Sequence, residues 1–195
     1  MLLYLDTRRA PNPRKVRIYL AEKQLDIPIK ELDLYAGEQK TPEFLAKNPF
    51  AGVPILELDD GTVLAETLPI MEYLEELYPD PPLIGTDAVS RAQVRAWERR
   101  CEIGVYLTAS RMVLSKGDVS DHAKGVLMSR LPLVNAGLEG KDWLAGDFSI
   151  ADIMLFIGLE TAHNKRYQGE FALDPAWTNL RRWYEAIKAR PSTSA

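Results

Sequence analysis

The sequence predicts two domains, a small α/β domain followed by an all-helical one, from three observations. Residues 1–78 alternate short strand-like and helical segments, residues 88–189 show helical periodicity with no convincing strand, and "YPDPPLIGTDA" between them carries the prolines and glycine of a linker, placed at 79–87. A chain of 195 residues is long enough to bury a substantial core in either one domain or two. With 46% hydrophobic and 27% charged residues the composition is that of a soluble globular protein. The net charge of -4 and the isoelectric point near 5.3 argue against nucleic acid or an acidic membrane surface as partner. A single cysteine, Cys101, excludes an internal disulfide framework, a CxxC redox pair and a thiolate zinc cluster, and two isolated histidines leave little for a metal. No signal peptide is visible and no apolar run approaches the roughly 20 residues of a membrane span, so a cytoplasmic location is expected.

"LLYLD" reads as a buried strand, and "PRKVRIYLAEKQL" as a helix with Val16, Tyr19 and Leu20 on one face. "PIKELDL" alternates as a second strand, making a βαβ unit whose strands should be parallel and joined right-handedly. In "VPILELDDGTVLAE" two strand runs meet at Asp60-Gly61, suited to a tight hairpin, and the helix "TLPIMEYLEELY" closes the unit. This βαβ-α-ββα order is that of a thioredoxin-like domain. In the second half, Ser149 and Asp152 of "GDFSIADIMLF" have capping-box spacing, with Phe148 placed to staple against Ile153, at the start of a nearly all-apolar core helix, residues 88–195 forming the helical domain.

Three stretches suggest chemistry. Asn12 is a preferred helix cap and Pro13 a favoured first helical residue, yet Arg8, Arg9, Arg14 and Lys15 crowd this end. Cations there are unfavourable by tenths of a kcal/mol each unless an anion is held, the alternative being solvated cations paired with surface acids. At Val53-Pro54 the proline cannot donate to a ladder. A cis bond would turn the Val53 backbone outward, where an extended peptide could add as a strand, whereas a trans bond would merely start an edge strand. Thr67 can cap the following helix and Glu66 can accept an ammonium, so the pair suits an α-amino acid head group, or is a plain cap with a solvated acid.

"APNPRKVRIYLAEK", "GEQKTPEFLAKNPFAGVPILELDDGTVLAET" with "LPIMEYLEELYP", "FSIADI" and "WYEAIKARPS" together resemble the cytosolic glutathione transferase superfamily over nearly the whole chain. The first helix is similar to that of atypical fungal and bacterial members lacking the usual catalytic Ser, Tyr or Cys. The resemblance implies a thioredoxin-like domain that binds glutathione as cosubstrate, a helical domain that shapes the pocket for a small hydrophobic electrophile, a homodimer, and a role in detoxification. It implies a cis Val53-Pro54 gripping the cysteinyl unit, Glu66 and Thr67 on the γ-glutamyl end, and Gln39 and Lys40 on the glycyl carboxylate. Ala10 stands at the usual Ser position and Tyr4 near the usual Tyr position, which leaves Asn12 as the nearest side chain able to donate to the sulfur. Arg99, Ile103, Tyr106 and Ser110 share a helix face by i, i+4, i+7, i+11 spacing. Ser110 is a second catalytic candidate, and Tyr106 and Arg99 are candidates for the substrate pocket. The His expected beside Ser110 is absent, with Leu114 and Ser115 there instead. Met71, Tyr78 and a long helix from about 90 to 115 are the candidates for facing a second copy. The reading is a transferase that lowers the thiol pKa and adds the thiolate to an electrophile. The alternatives are a glutathione-dependent disulfide reductase or isomerase, or a non-catalytic glutathione-binding or regulatory protein of the same fold.

Overall fold

The computed structural model describes residues 1–7, 10–163 and 171–195. The chain divides into two compact units, Met1–Pro81 with Ser194–Ala195, and Pro82–Thr193.

The first unit runs β1 (Leu2–Asp6), α1 (Pro11–Lys23), β2 (Ile29–Leu32), a 3₁₀ turn (Glu38–Lys40), α2 (Pro42–Lys47), β3 (Ile55–Glu57), β4 (Val63–Ala65) and α3 (Thr67–Leu77). Its sheet has the order β2-β1-β3-β4, with β1 and β2 parallel and β3 antiparallel to both β1 and β4, as a thioredoxin-like domain requires. Alternation along β1 sends Tyr4 to one face, where it packs with Leu32, Phe44 and Ile55, and the fully buried Leu3 and Leu5 to the other. Val16, Tyr19 and Leu20 are buried on α1 as their spacing predicts. The hairpin turns at Gly61, whose φ of 84° suits glycine. A buried network ties α1 to α3. Lys23 Nζ lies 2.6 Å from Glu75 Oε2 and donates to the Tyr78 carbonyl, and the Tyr19 hydroxyl donates to the same carboxylate at 2.7 Å. These extra hydrogen bonds are what a buried ion pair needs to offset its desolvation. Met71, a candidate for facing a second copy, is instead 1% exposed and belongs to the core.

The second unit is helical: α4 (Ala88–Cys101), a π turn (Glu102–Tyr106), α5 (Leu107–Leu114), α6 (Asp118–Gly137), α7 (Ile150–Ala162) and α8 (Thr178–Lys188). Leu83 and Ile84 are buried, and the Leu83 carbonyl accepts from the Ile150 N–H at 3.0 Å, fastening that stretch to the helical unit. Twelve of the thirteen residues of α7 are buried, so it is the core helix that the apolar run predicts. Its entry is set by Asp152. The carboxylate accepts from Ser149 N–H (3.0 Å), Ser149 Oγ (3.1 Å), Leu144 N–H (3.1 Å) and Trp183 Nε1 (2.8 Å). The long helix expected over about 90 to 115 runs without a gap from Ala88 to Leu114, with the π turn inside it. Among the described residues no helix is long and apolar enough to cross a membrane.

Candidate functional site

The sheet register gathers four connections at one end. Asp6, at the end of β1, pairs with Leu32 at the end of β2. Ile55, which starts β3, pairs with both Tyr4 and Ala65, the last residue of β4. The β1–α1 connection, the segment after β2, residues 53–54 and residues 66–67 therefore all leave the same end of the sheet.

The start of α1 differs from expectation. The helix begins at Pro11, with Ala10 as its cap residue, and Asn12 is the second helical residue rather than the cap. The reason is that Pro11, like Pro13, suits the first turn, and the helix takes the earlier one. Prolines at the first and third positions also delete two of the N–H groups expected to face an anion. Asn12 carries the N–H that lies between them. The Ala10 N–H is taken by Asp6 Oδ2 at 2.7 Å, and Asp6 is 1% exposed. Arg17 donates to the Asp6 carbonyl (2.9 Å) and to Glu31 (2.8 Å). Of these contacts only Arg17–Glu31 sets a cation on an acid, the Asp6 carboxylate being spent on a backbone N–H. The acid closing "LLYLD" was the available sign of the Ala10 contact, and sequence reasoning passed over it. Lys15 is buried and donates to Asn12 Oδ1 at 3.0 Å. Because lysine only donates, this bond fixes the amide orientation and turns Nδ2 away as a donor. Arg8 and Arg9 lie outside the described residues.

Glu66 is the cap residue of α3 at φ 73°, a backbone conformation that non-glycine residues seldom adopt, and Thr67 is the first helical residue, not the cap. The strained turn out of β4 lets the helix start one residue earlier. Glu66 is exposed and Thr67 buried, and the N–H groups of Thr67 and Leu68 have no protein partner among the described residues. Val53-Pro54 is cis, and no hydrogen bond among the described residues takes the Val53 N–H or carbonyl. The loop before it is shaped by buried Asn48. That side chain donates to the Gly52 carbonyl (2.9 Å) and accepts from the Phe50 N–H (3.2 Å), an Asx turn that "NPF" could have signalled. Gln39 and Lys40 lie in the 3₁₀ turn. Gln39 Nε2 donates to the Leu34 carbonyl at 3.3 Å, its buried Oε1 has no partner among the described residues, and Lys40 is exposed. Tyr4 is committed elsewhere: its hydroxyl donates to Glu57 Oε2 at 2.6 Å, and Glu57 also accepts from Lys47. Burial and that carboxylate push its pKa up, so it is a poor source of a proton for a sulfur anion.

The π turn breaks the common face expected of the helical candidates. Arg99, ion-paired to Glu102, lines a groove of about 770 Å³ with Trp97, Ile103, Arg130 and Leu133, whereas Tyr106 and Ser110 do not line it. Burial raises the Tyr106 pKa, and the neighbouring Ser110 hydroxyl pulls against it. Placing Arg99 and Tyr106 in one pocket is therefore corrected: one extra residue in the turn rotates everything after it.

Residues 10–77 match the family model described as Glutathione S-transferase, N-terminal domain, and residues 97–191 match Glutathione S-transferase, C-terminal domain. Glutathione S-transferase 2 of Saccharomyces cerevisiae is 33% identical over 208 aligned positions, spanning 98% of this chain and 87% of its own length. Maleylacetoacetate isomerase of Pseudomonas aeruginosa is also 33% identical, over 94% of this chain and 90% of its own. A crystal structure of a glutathione S-transferase from Methylobacillus flagellatus, with glutathione bound, superposes with a TM-score of 0.83 at 28% identity, covering 99% of this chain and 96% of that one. Matches over both units and near-complete coverage by these relatives show that the chain belongs to the glutathione S-transferase family.

Proposed function

We propose that glutathione lies along the gathered end of the sheet and that its thiolate attacks a hydrophobic electrophile offered by the helical unit. The carrying observation is that the open Val53 backbone and the donor-rich start of α3 leave the same end of the sheet, because Ile55 and Ala65 are the register partners that end the β3–β4 ladder. The cysteinyl backbone adds to Val53 as a short strand. The γ-glutamyl carboxylate takes the N–H groups of Thr67 and Leu68 and the Thr67 hydroxyl, while Glu66 accepts the ammonium. Lys40 and the Gln39 amide meet the glycyl carboxylate. Asn12 Nδ2 and N–H donate to the sulfur, and Tyr106 with Ser110 contacts the electrophile. With chlorodinitrobenzene, the thiol proton leaves to solvent, a carbon–sulfur bond forms and chloride departs. The setting we assign is cytoplasmic, in detoxification.

Reduced glutathione should bind with a micromolar to millimolar Kd, and Glu66→Ala or Thr67→Ala should each weaken it by roughly 1 to 3 kcal/mol, as for a lost charged hydrogen bond. Ala shares the steric cost of Glu at φ 73°, so the first substitution reports on the carboxylate. Unchanged calorimetric affinity in both variants would refute the placement.

Similarity to the isomerase favours a second reading, in which the same thiolate adds reversibly to an electrophilic double bond and leaves after rotation. Turnover of maleylacetoacetate without net consumption of glutathione distinguishes it from conjugation.

The reading also includes a homodimer. Apolar side chains left open support it: Ile103 and Leu133 of the groove are 55% and 62% exposed, and Phe50 is 92% exposed. Light scattering at micromolar concentration should give a dimer mass that Leu133→Glu lowers to the monomer, and a monomeric parent protein would contradict it.

A further inference from the structure

The π turn packs closely against α7 at Gly158. A side-chain methyl built on Gly158 would lie 3.0 Å from Val105 Cγ1, 3.2 Å from the Tyr106 backbone nitrogen and 3.3 Å from Tyr106 Cα. Two of these three neighbours are backbone atoms, which cannot rotate away. Glycine in mid-helix is unfavourable relative to alanine, so a bare Cα at this point of the buried core helix needs a reason, and the close approach of the turn supplies one. The turn in turn decides which side chains point where. One added residue is about 100° of helical rotation, enough to separate Arg99 and Ile103, which face the groove, from the hydroxyl pair Tyr106 and Ser110, which does not.

We propose that Gly158 is a positioning and specificity-determining residue for the second substrate, acting through the Glu102–Tyr106 turn that it admits; this rests on the reading that Tyr106 and Ser110 contact the electrophile. An added methyl displaces the Tyr106 backbone by a few tenths of an ångström and carries the hydroxyl pair with it. Binding of glutathione, assigned to the other unit, is untouched.

The test compares the full-length parent chain, Gly158→Ala and Tyr106→Phe in conjugation of chlorodinitrobenzene, with glutathione affinity measured by calorimetry. Gly158→Ala should raise the KM for the electrophile by about three- to tenfold while the glutathione Kd stays within about twofold, because misplacement of a contacting group by a fraction of an ångström is felt in reactivity. A merely structural glycine would lower Tm and the active fraction, and so kcat, without moving that KM. Tyr106→Phe should raise the same KM. If it does and Gly158→Ala does not, the role of Gly158 is refuted and the assignment of Tyr106 stands. If Tyr106→Phe leaves the KM unchanged, the assignment itself fails and the inference falls with it. Should Gly158→Ala not fold, Gly158→Ala with Val105→Ala carries the same criteria, since the methyl then has the space of the Val105 side chain but still presses on the Tyr106 backbone.

Discussion

Asp152→Ala is expected to destabilise the helical unit by about 3 to 5 kcal/mol, a large share of the 5 to 15 kcal/mol of a typical domain. The substitution leaves four donors without their acceptor, on Ser149, Leu144 and Trp183, at the entry of the most buried helix. It also has a pH signature. Burial raises the Asp152 carboxyl to about 6, against the opposing pull of those donors. A carboxyl raised in the fold contributes its stability fully below its unfolded value, near 3.9, and loses that contribution as pH rises through about 6. Urea unfolding followed by tryptophan fluorescence should therefore show the difference between parent and variant to be larger at about pH 5 than at about pH 7.5. A difference that grows with pH would mean that the donors outweigh burial.

Asn12→Ala is expected to raise the pKa of bound glutathione's thiol by about one to two units, and to lower kcat/KM near neutral pH about ten- to hundredfold. Depressing a thiol by two units takes about 2.7 kcal/mol of preference for the anion. One charge-assisted hydrogen bond supplies about 1.5 to 3, and the helix end up to about 1. The prolines at positions 11 and 13 remove competing N–H donors from the first turn, and Tyr4 is spent on Glu57, so the Asn12 amide has few substitutes. Ser110→Ala, which removes a partner of Tyr106, should move the pH-rate profile less. The reverse ranking would place the donor in the helical unit.

The opening βαβ unit and the hairpin were legible because period-two alternation in "LLYLD" and the Asp60-Gly61 turn are local signals that packing respects. Residues 53–54 and 66–67 were legible as motif elements, and the register partners Ile55 and Ala65 bring the two segments to the same end of the sheet. Helix starts were less so. "APNP" offers two prolines that each suit a first helical position, and the choice of Pro11 depends on Asp6 reaching the Ala10 N–H. Thr67 looked like a cap because a strained φ at Glu66 has no mark in the residue itself. Met71 fits an exposed or a buried helix face equally well until α1 is packed against α3. The π turn was hidden altogether, since the Gly158 that makes room for it lies more than fifty positions away in the chain. As a result the four-residue face read from Arg99 to Ser110 was split.

On the proposed placement, the start of α1, through Asn12, holds the sulfur of glutathione as an anion. Ultraviolet absorbance of the thiolate, titrated against pH with saturating glutathione on the full-length protein, tests it most directly. The bound thiol pKa should lie about two units below the roughly 8.5 of a free cysteine and return toward that value in Asn12→Ala. A bound thiol that titrates at or above the free value, with glutathione still bound through Glu66 and Thr67, would contradict it.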